Sequence, residues 1–515
     1  VCDAPAGCGI LPDAARRAEV AVPARNLLAC LMLLVVPPVA AVRATGSAEA
    51  QPLAAAQPPA AALRVAPRAV VTRAATAIER EYFDVTRAKT VAADLRAAAA
   101  AGRFDAMTDP RDLASALTTR LQPIDRHFVV TWATPVVAPA APPASAASGP
   151  AVDPARARPV ARPPTPRSRS PLLDADAQLR RNFGFRRVDV LPGNVGLVQL
   201  DSFAPFSADA PAPSAREVAD VALAFVARTG ALIVDLRENG GGSPAMVGYL
   251  AGHFVPEDAD VFNVFEQRDA PDQSERSPVP IADARRRTDV PLYVLVSART
   301  GSAAESFAYT LQAAKRATIV GEPTGGAANP GRFVDLGDGL RLFVSFGRPV
   351  NPVTRSNWEG TGVRPDVQVP AADALLAAHE LALNEQFRRL TAADSAPAAD
   401  PPAVDELRWT LDAVRAQRQP ARAANAAEFA GAYGPRRVRA DGSRLVLEHG
   451  RRPPKTLLPL GGDTYTLAED PYVRFEFERD AGGRVAALVT RTVGGLVTRD
   501  ARAAPAERES AATVH

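Results

Sequence analysis

The sequence predicts an α/β fold preceded by a helical segment and followed by a small antiparallel β-segment. Three observations carry this. The β-type apolar runs ALIVDL from Ala231, PLYVLVS from Pro291 and ATIVGEP from Ala317 alternate with helical stretches, the rhythm of βαβ units around a largely parallel sheet. Between about Leu63 and Leu121 apolar residues recur every three or four positions, which predicts three or four short helices. Beyond Glu428 short strand-like segments are separated by turn pairs such as Asp441-Gly442 and Gly482-Gly483, the pattern of antiparallel strands.

The elements follow in order. A helical unit is expected over 60–132, its third helix opened by Thr108-Asp109-Pro110. Residues 133–172 are rich in Ala, Pro, Ser and Arg and read as a linker with too little apolar surface to fold. The α/β unit is expected over 173–395, starting with a hairpin whose turn is Pro192-Gly193-Asn194 and placing its active loops at the carboxyl ends of parallel strands. Pro401-Pro402 suggests a second linker over 396–425, before a β-unit at 426–502 and a tail at 503–515. At 515 residues with 48 prolines, the chain is too long for one core.

Residues 1–50 read as a secretory signal and leader. Arg25 precedes an apolar run from Leu27 to Val42 that Pro37 and Pro38 interrupt, and small residues follow. The expectation is an exported protein, periplasmic or extracellular, with no stable membrane span once the signal is removed and an anchor only if it is retained. All three cysteines, Cys2, Cys8 and Cys30, lie in this leader, so the exported chain would hold no disulfide, thiol nucleophile or zinc–cysteine site. A net charge of +3 from 60 basic and 57 acidic residues, with 6% aromatics, argues against nucleic-acid binding. No metal or organic cofactor is implied, and oligomeric state is not legible.

Two strand-end loops carry the chemistry. Residues 235–242 read DLRENGGG and residues 300–305 read TGSAAE. An exposed serine just before a helix, with glycines whose backbone can approach closely, supplies a nucleophile and N–H donors for a developing oxyanion. Ser302 is the candidate nucleophile, Gly241 and Ala303 the candidate oxyanion donors, Gly240 a secondary one. Glu305, three residues after the serine, is expected to support the helix start. As bland alternatives, Ser302 is a helix N-cap and the glycines a turn.

A serine needs a base, and there are five histidines. His515 is terminal, His449 lies in the β-segment and His379 in the closing helix. His253 is expected to end the helix after the glycines, where positive charge suits the helix dipole. His127, in Asp125-Arg126-His127-Phe128, falls where the helical unit gives way to an extended run, so its ring could be delivered to another unit's loop. Glu359, in a turn flanked by Trp358 and Gly360, is the candidate orienting carboxylate. Such a base would make activity rise near pH 6 to 8, around the ordinary histidine value of about 6.5, whereas a rise only above about pH 9 would count against it.

These motifs, DRHF, DLRENGGG, TGSAAESFAYTLQAAKRATIVGEPTGGA and WEGTGVRPDVQVP, resemble those of the tail-specific or C-terminal processing serine peptidases. The closer likeness is to the subgroup related to interphotoreceptor retinoid-binding protein and the tricorn core protease. The resemblance implies a crotonase-like core of the ClpP/crotonase type with a helical N-terminal domain. It implies Ser302 as nucleophile, Gly241 and Ala303 at the oxyanion and, from the tricorn-like branch, His127 and Glu359 as the other triad members. Two departures stand out. Ala327 occupies the position where the Ser/Lys branch has its lysine, with Lys315 reading as a helix-surface residue, and the interval from Trp132 to Phe183 has no room for a PDZ domain.

The reading is therefore an exported serine endopeptidase acting on unfolded or flexible polypeptides through an acyl-enzyme on Ser302. A catalytically silent ligand-binding module of the same fold, or an acyl or ester hydrolase using the same residues, are the alternatives, because fold alone does not decide function.

Overall fold

The computed structural model describes residues 64–133, 175–206, 213–392, 401–418 and 425–504. The leader, nearly all of the expected 133–172 linker and the last residues of the tail lie outside them. The architecture is mixed α/β with a C-terminal antiparallel barrel.

Helices α1 (Pro67–Glu81), α2 (Val85–Ala100) and α3 (Pro110–Leu121) form the N-terminal layer. Asp109 caps α3 by accepting from the Arg111 N–H, and Pro110 occupies the first turn, where its missing N–H costs nothing. The chain then runs through a loop holding His127 into β1 (Val130–Trp132). Strand β1 pairs antiparallel with β10 (Leu340–Ser345), which is also paired to β9 (Gly331–Gly337). Leu336, Leu340, Leu342 and Val344 of that hairpin share one core with Ile78, Leu95, Leu117 and Phe128. Apolar burial thus fastens the helical layer to a hairpin two hundred residues away in sequence.

A short helix α4 (Ala175–Arg180) leads into a six-stranded sheet of order β12-β8-β7-β4-β3-β2. Strands β2 (Phe185–Leu191) and β3 (Val195–Leu200) are the antiparallel hairpin. Strand β3 continues in parallel to β4 (Ala231–Asp235), β7 (Leu292–Val296), β8 (Thr318–Gly321) and β12 (Val367–Gln368). Strands β4 and β7 are buried along their whole length, as central strands covered on both faces must be. One face packs on α5 (Ala215–Phe225), α6 (Pro244–Gly252) and α7 (Ala303–Ala313), and the other on α8 (Ala374–Thr391). A small sheet of β5 (Val264–Gln267), β6 (Gln273–Ser274) and β11 (Gly347–Val350) flanks them.

One expectation is corrected here. Residues 401–418, read as linker, form helix α9 (Pro401–Arg418). The two prolines sit at its start, where proline is tolerated, and Leu407, Leu411 and Val414, spaced four and three apart, pack with α8 against the sheet. Helix α9 also carries the contact to the last unit, for Asp412 pairs with Arg474, whose guanidinium lies over Trp409.

That unit holds a short helix α10 (Ala426–Phe429) and an eight-stranded meander, β13 (Gly431–Tyr433), β14 (Arg436–Asp441), β15 (Arg444–His449), β16 (Lys455–Gly461), β17 (Thr464–Leu467), β18 (Val473–Arg479), β19 (Val485–Thr492) and β20 (Val497–Ala501). A bridge between Tyr433 and Arg502 closes it into a barrel. Tyr433, Tyr465, Phe475, Phe477 and Phe429 fill the interior, so the barrel is a packed core.

Candidate active site

The loops that follow β4, β7 and β8 emerge together at the carboxyl edge of the parallel sheet. Ser302 closes the loop after β7 and precedes α7, with φ 50° and ψ −119°. That is the conformation of the first central residue of a type II′ turn, which glycine favours and a residue with a Cβ adopts only under strain. Its side chain is exposed. Among the described residues the N–H of Ala303 donates to nothing, as expected at the first position of a helix.

Gly241, with φ 116°, lies against this turn: a Cβ there would come within 2.8 Å of the Ser302 Cβ and 3.1 Å of the Ala303 nitrogen. Only glycine allows that approach. As a donor, however, Gly241 is engaged. The Gly241 N–H donates to the side chain of Asn239 at 2.9 Å, and Asn239 is fully buried and anchored by its own bond to the Leu200 carbonyl. Gly240, whose carbonyl is 3.4 Å from where a Cβ on Gly301 would sit, keeps its N–H free among the described residues.

Glu305 is fully buried and accepts four hydrogen bonds. They come from the Ser302 N–H at 2.7 Å, the Thr324 hydroxyl at 2.5 Å and the N–H groups of Gly326 and Ala327 at 2.6 and 2.9 Å. Glu359 continues along the same loop, accepting from the N–H groups of Ala328 and Asn329 at 2.8 and 3.1 Å through Oε2. Its Oε1 stands 3.4 Å from His127 Nδ1 and makes no hydrogen bond. The stretch from Thr324 to Asn329 therefore joins the serine turn to the histidine.

His127 reaches this place because Phe128 is buried in the core shared with β9 and β10, and its ring stacks on Phe343 of β10 at 5.9 Å. Its Nδ1 is 3.2 Å from Asp125 Oδ1, which also accepts the His127 backbone N–H at 2.8 Å. Burial opposes the charged imidazolium, but the two carboxylates outweigh it and raise the pKa to about 9. The Asp125 carboxyl, which burial alone would push up, is held below its ordinary value by its bonds from His127. Asp125, His127 and Glu359 also present their ligand-type atoms within 4.8 Å of one another. This is a donor set that hydrogen bonding to a single imidazole already accounts for. Among the described residues no hydrogen bond joins Ser302 to a histidine.

Two of the other histidines are engaged elsewhere. His253 is buried with Nδ1 2.8 Å from the Tyr249 carbonyl, and burial lowers its pKa. It is therefore neutral at pH 7, correcting the expectation of a cationic helix end. His379 lies in α8 with Nε2 2.8 Å from the Pro192 carbonyl, also lowered by burial. The sequence holds three lysines. Lys315 is exposed just past the far end of α7, about 16 Å of helix from Ser302, Lys89 is exposed on α2 and Lys455 pairs with Glu469.

The model for "Peptidase family S41" matches residues 194–369, the segment that carries Gly241, Ser302, Glu305 and Glu359. Over these residues the chain is similar to peptidase family S41. A second model, described as the N-terminal domain of Peptidase_S41 in eukaryotic IRBP, matches residues 51–160, which include His127. The chain is 33% identical over 181 residues to the carboxyl-terminal-processing protease of Synechocystis sp., covering 35% of this chain and 39% of that one. It is 28% identical over 201 residues to carboxyl-terminal-processing peptidase 1, chloroplastic, of Arabidopsis thaliana, covering 38% of each. It thus spans about two fifths of the length of these curated relatives. Among solved structures, the photosystem II D1 C-terminal processing protease matches at 27% identity with a TM-score of 0.26, over 40% of this chain and 48% of that one.

Sequence reasoning missed Asn239 and gave Asp125 no role. Each leaves a local sign: an Asx residue two positions before the backbone N–H it accepts, in Asn239-x-Gly241 and Asp125-x-His127.

Proposed function

We propose that this chain is an exported serine endopeptidase with a crotonase-like core, acting on unfolded or flexible polypeptides through an acyl-enzyme on Ser302. The observation that carries the reading is the backbone of Ser302, held at positive φ at the head of α7 with the free Ala303 N–H beside it. A serine serving only as an N-cap needs no such conformation, and strain of this kind is characteristic of a nucleophile turned outward.

The steps follow from the contacts. His127 presents Nδ1 to carboxylates, which leaves Nε2 to take the proton from the Ser302 hydroxyl as its oxygen attacks the scissile carbonyl. The N–H of Ala303, with that of Gly240 as the second free donor, stabilises the oxyanion. If Gly241 takes part, Asn239 must release its N–H. Collapse breaks the C–N bond, His127 passes its proton to the leaving amine, and water attacks the acyl-enzyme by the same route in reverse. The absence of a Ser302–His127 hydrogen bond is compatible with this, because such bonds often tighten only once substrate is bound. The three lysines, exposed or paired, leave no evident base for a Ser/Lys dyad.

The test is hydrolysis of casein by the chain beside Ser302→Ala and His127→Ala variants. Loss of cleavage in both is the expected result. Cleavage that survives Ser302→Ala removes the acyl-enzyme, and inactivity of all three chains shifts the reading to a binding module.

A further inference from the structure

We infer that Asp125 is the positioning residue that fixes the tautomer and orientation of His127, with Glu359 in a supporting place. The inference rests on His127 being the base, but its test does not depend on peptidase activity.

The geometry separates the two carboxylates. An imidazole Nδ1–H has one proton to give and donates it fully to one acceptor. Asp125 Oδ1 lies at 3.2 Å and forms the hydrogen bond, whereas Glu359 Oε1 lies at 3.4 Å and forms none. The same Asp125 oxygen accepts the His127 backbone N–H at 2.8 Å, so one atom sets both the main chain and the ring of the histidine. Nothing comparable links Glu359 to the His127 backbone.

The supports differ as well. Asp125 sits four residues past the end of α3, its N–H bonded to the Leu121 carbonyl at 3.3 Å and its carbonyl accepting from the Phe128 N–H at 3.0 Å. Its other oxygen is 3.4 Å from the Asn329 amide nitrogen. Its side chain is 1% exposed against 22% for Glu359, and a charge in that drier position acts more strongly on the ring. Glu359 instead spends Oε2 on two backbone N–H groups of the 328–329 segment, which fits a carboxylate that shapes the loop and adds negative charge nearby.

The test is a proton titration of His127 followed by NMR in chains labelled at histidine, using Ser302→Ala as background and adding Asp125→Asn, Asp125→Ser or Glu359→Gln. Both Asp125 variants keep an acceptor for the His127 N–H, so either one that folds gives the answer. The expected result is a fall in the His127 midpoint of about one unit or more, larger than with Glu359→Gln, with loss of the Nδ1-protonated tautomer. With Ser302 restored, kcat/KM should fall and its rising limb should move to lower pH by the same shift, whereas a merely structural role would lower activity without moving the limb. A midpoint that follows Glu359→Gln and ignores both Asp125 variants overturns the inference. If the parent chain cleaves no casein yet the midpoint depends on Asp125, the peptidase reading fails and the positioning inference stands.

Discussion

The backbone N–H of Ser302 donates to Glu305 Oε2 at 2.7 Å, and the same oxygen accepts the N–H of Ala327 at 2.9 Å. One buried carboxylate thereby ties the serine turn to the loop that Glu359 holds from its other end. Replacing Glu305 with Ala strands the donors of Ser302, Thr324, Gly326 and Ala327 at once. Each orphaned buried donor costs about 1–3 kcal/mol, so Glu305→Ala should lose several kcal/mol of stability and all cleavage. Urea denaturation measures the first and casein hydrolysis the second. A variant that stays as stable as the parent would remove Glu305 from this account.

Strain at Ser302 gives a prediction that separates nucleophile from cap. Glycine accepts φ 50°, ψ −119° without the penalty of about 1–3 kcal/mol that a Cβ incurs, less its own entropic cost of about 0.5–1 kcal/mol. Ser302→Gly should therefore be inactive yet more stable, by on the order of 1 kcal/mol, while Ser302→Ala is inactive without that gain. A serine whose main task is capping would give the reverse, both variants being less stable than the parent.

The pH profile should differ from the one the sequence suggests. With its pKa raised to about 9 by the two carboxylates, His127 is largely imidazolium at neutral pH and becomes a base only above it. Log kcat/KM against pH should therefore climb with unit slope towards a half-point near pH 9. A rise at high pH accordingly does not count against the histidine, as it would for an ordinary imidazole. The stability sign is fixed by the same shift. The extra proton affinity of the fold stabilises it fully below pH 6.5, and that contribution disappears as pH rises through about 9. His127→Gln should flatten this part of the Tm profile, and a Tm profile unchanged by the substitution would argue that the raised value is wrong.

What could be read from the chain and what could not divides along sequence distance. The parallel strands were legible because β4 and β7 are short continuous apolar runs, and the cap of α3 because Asp109 and Pro110 are adjacent. Helix α9 was hidden by two prolines that look like breakers, although Val404, Leu407, Leu411 and Val414 carry a helical spacing. At the site, Ser302 was legible as the residue between a strand and a helix. The pairing of Asp125 with His127 was not, because whether a carboxylate two residues away turns towards the ring depends on the core that Phe128 shares with β9 and β10. The diversion of the Gly241 N–H to Asn239 depends likewise on an asparagine buried by distant packing.

Glu275 offers the last test, away from the serine. It is 2% exposed, its Oε2 accepts from Asn263 at 2.9 Å and from the Ser306 hydroxyl at 2.6 Å, and its Oε1 has no partner. Burial pushes its pKa from 4.5 up to about 8, so the fold holds the acid form at neutral pH. The unfolded chain releases that proton above about pH 4.5, so this contribution to stability is full below that pH and drains away as pH climbs through 8. Glutamine has the shape of the neutral acid and can set its amide nitrogen where the unpaired oxygen stands. Glu275→Gln should match the parent in Tm near pH 5 and exceed it by a widening margin towards pH 8. An offset that stays constant between those values would mean that Glu275 does not titrate across them.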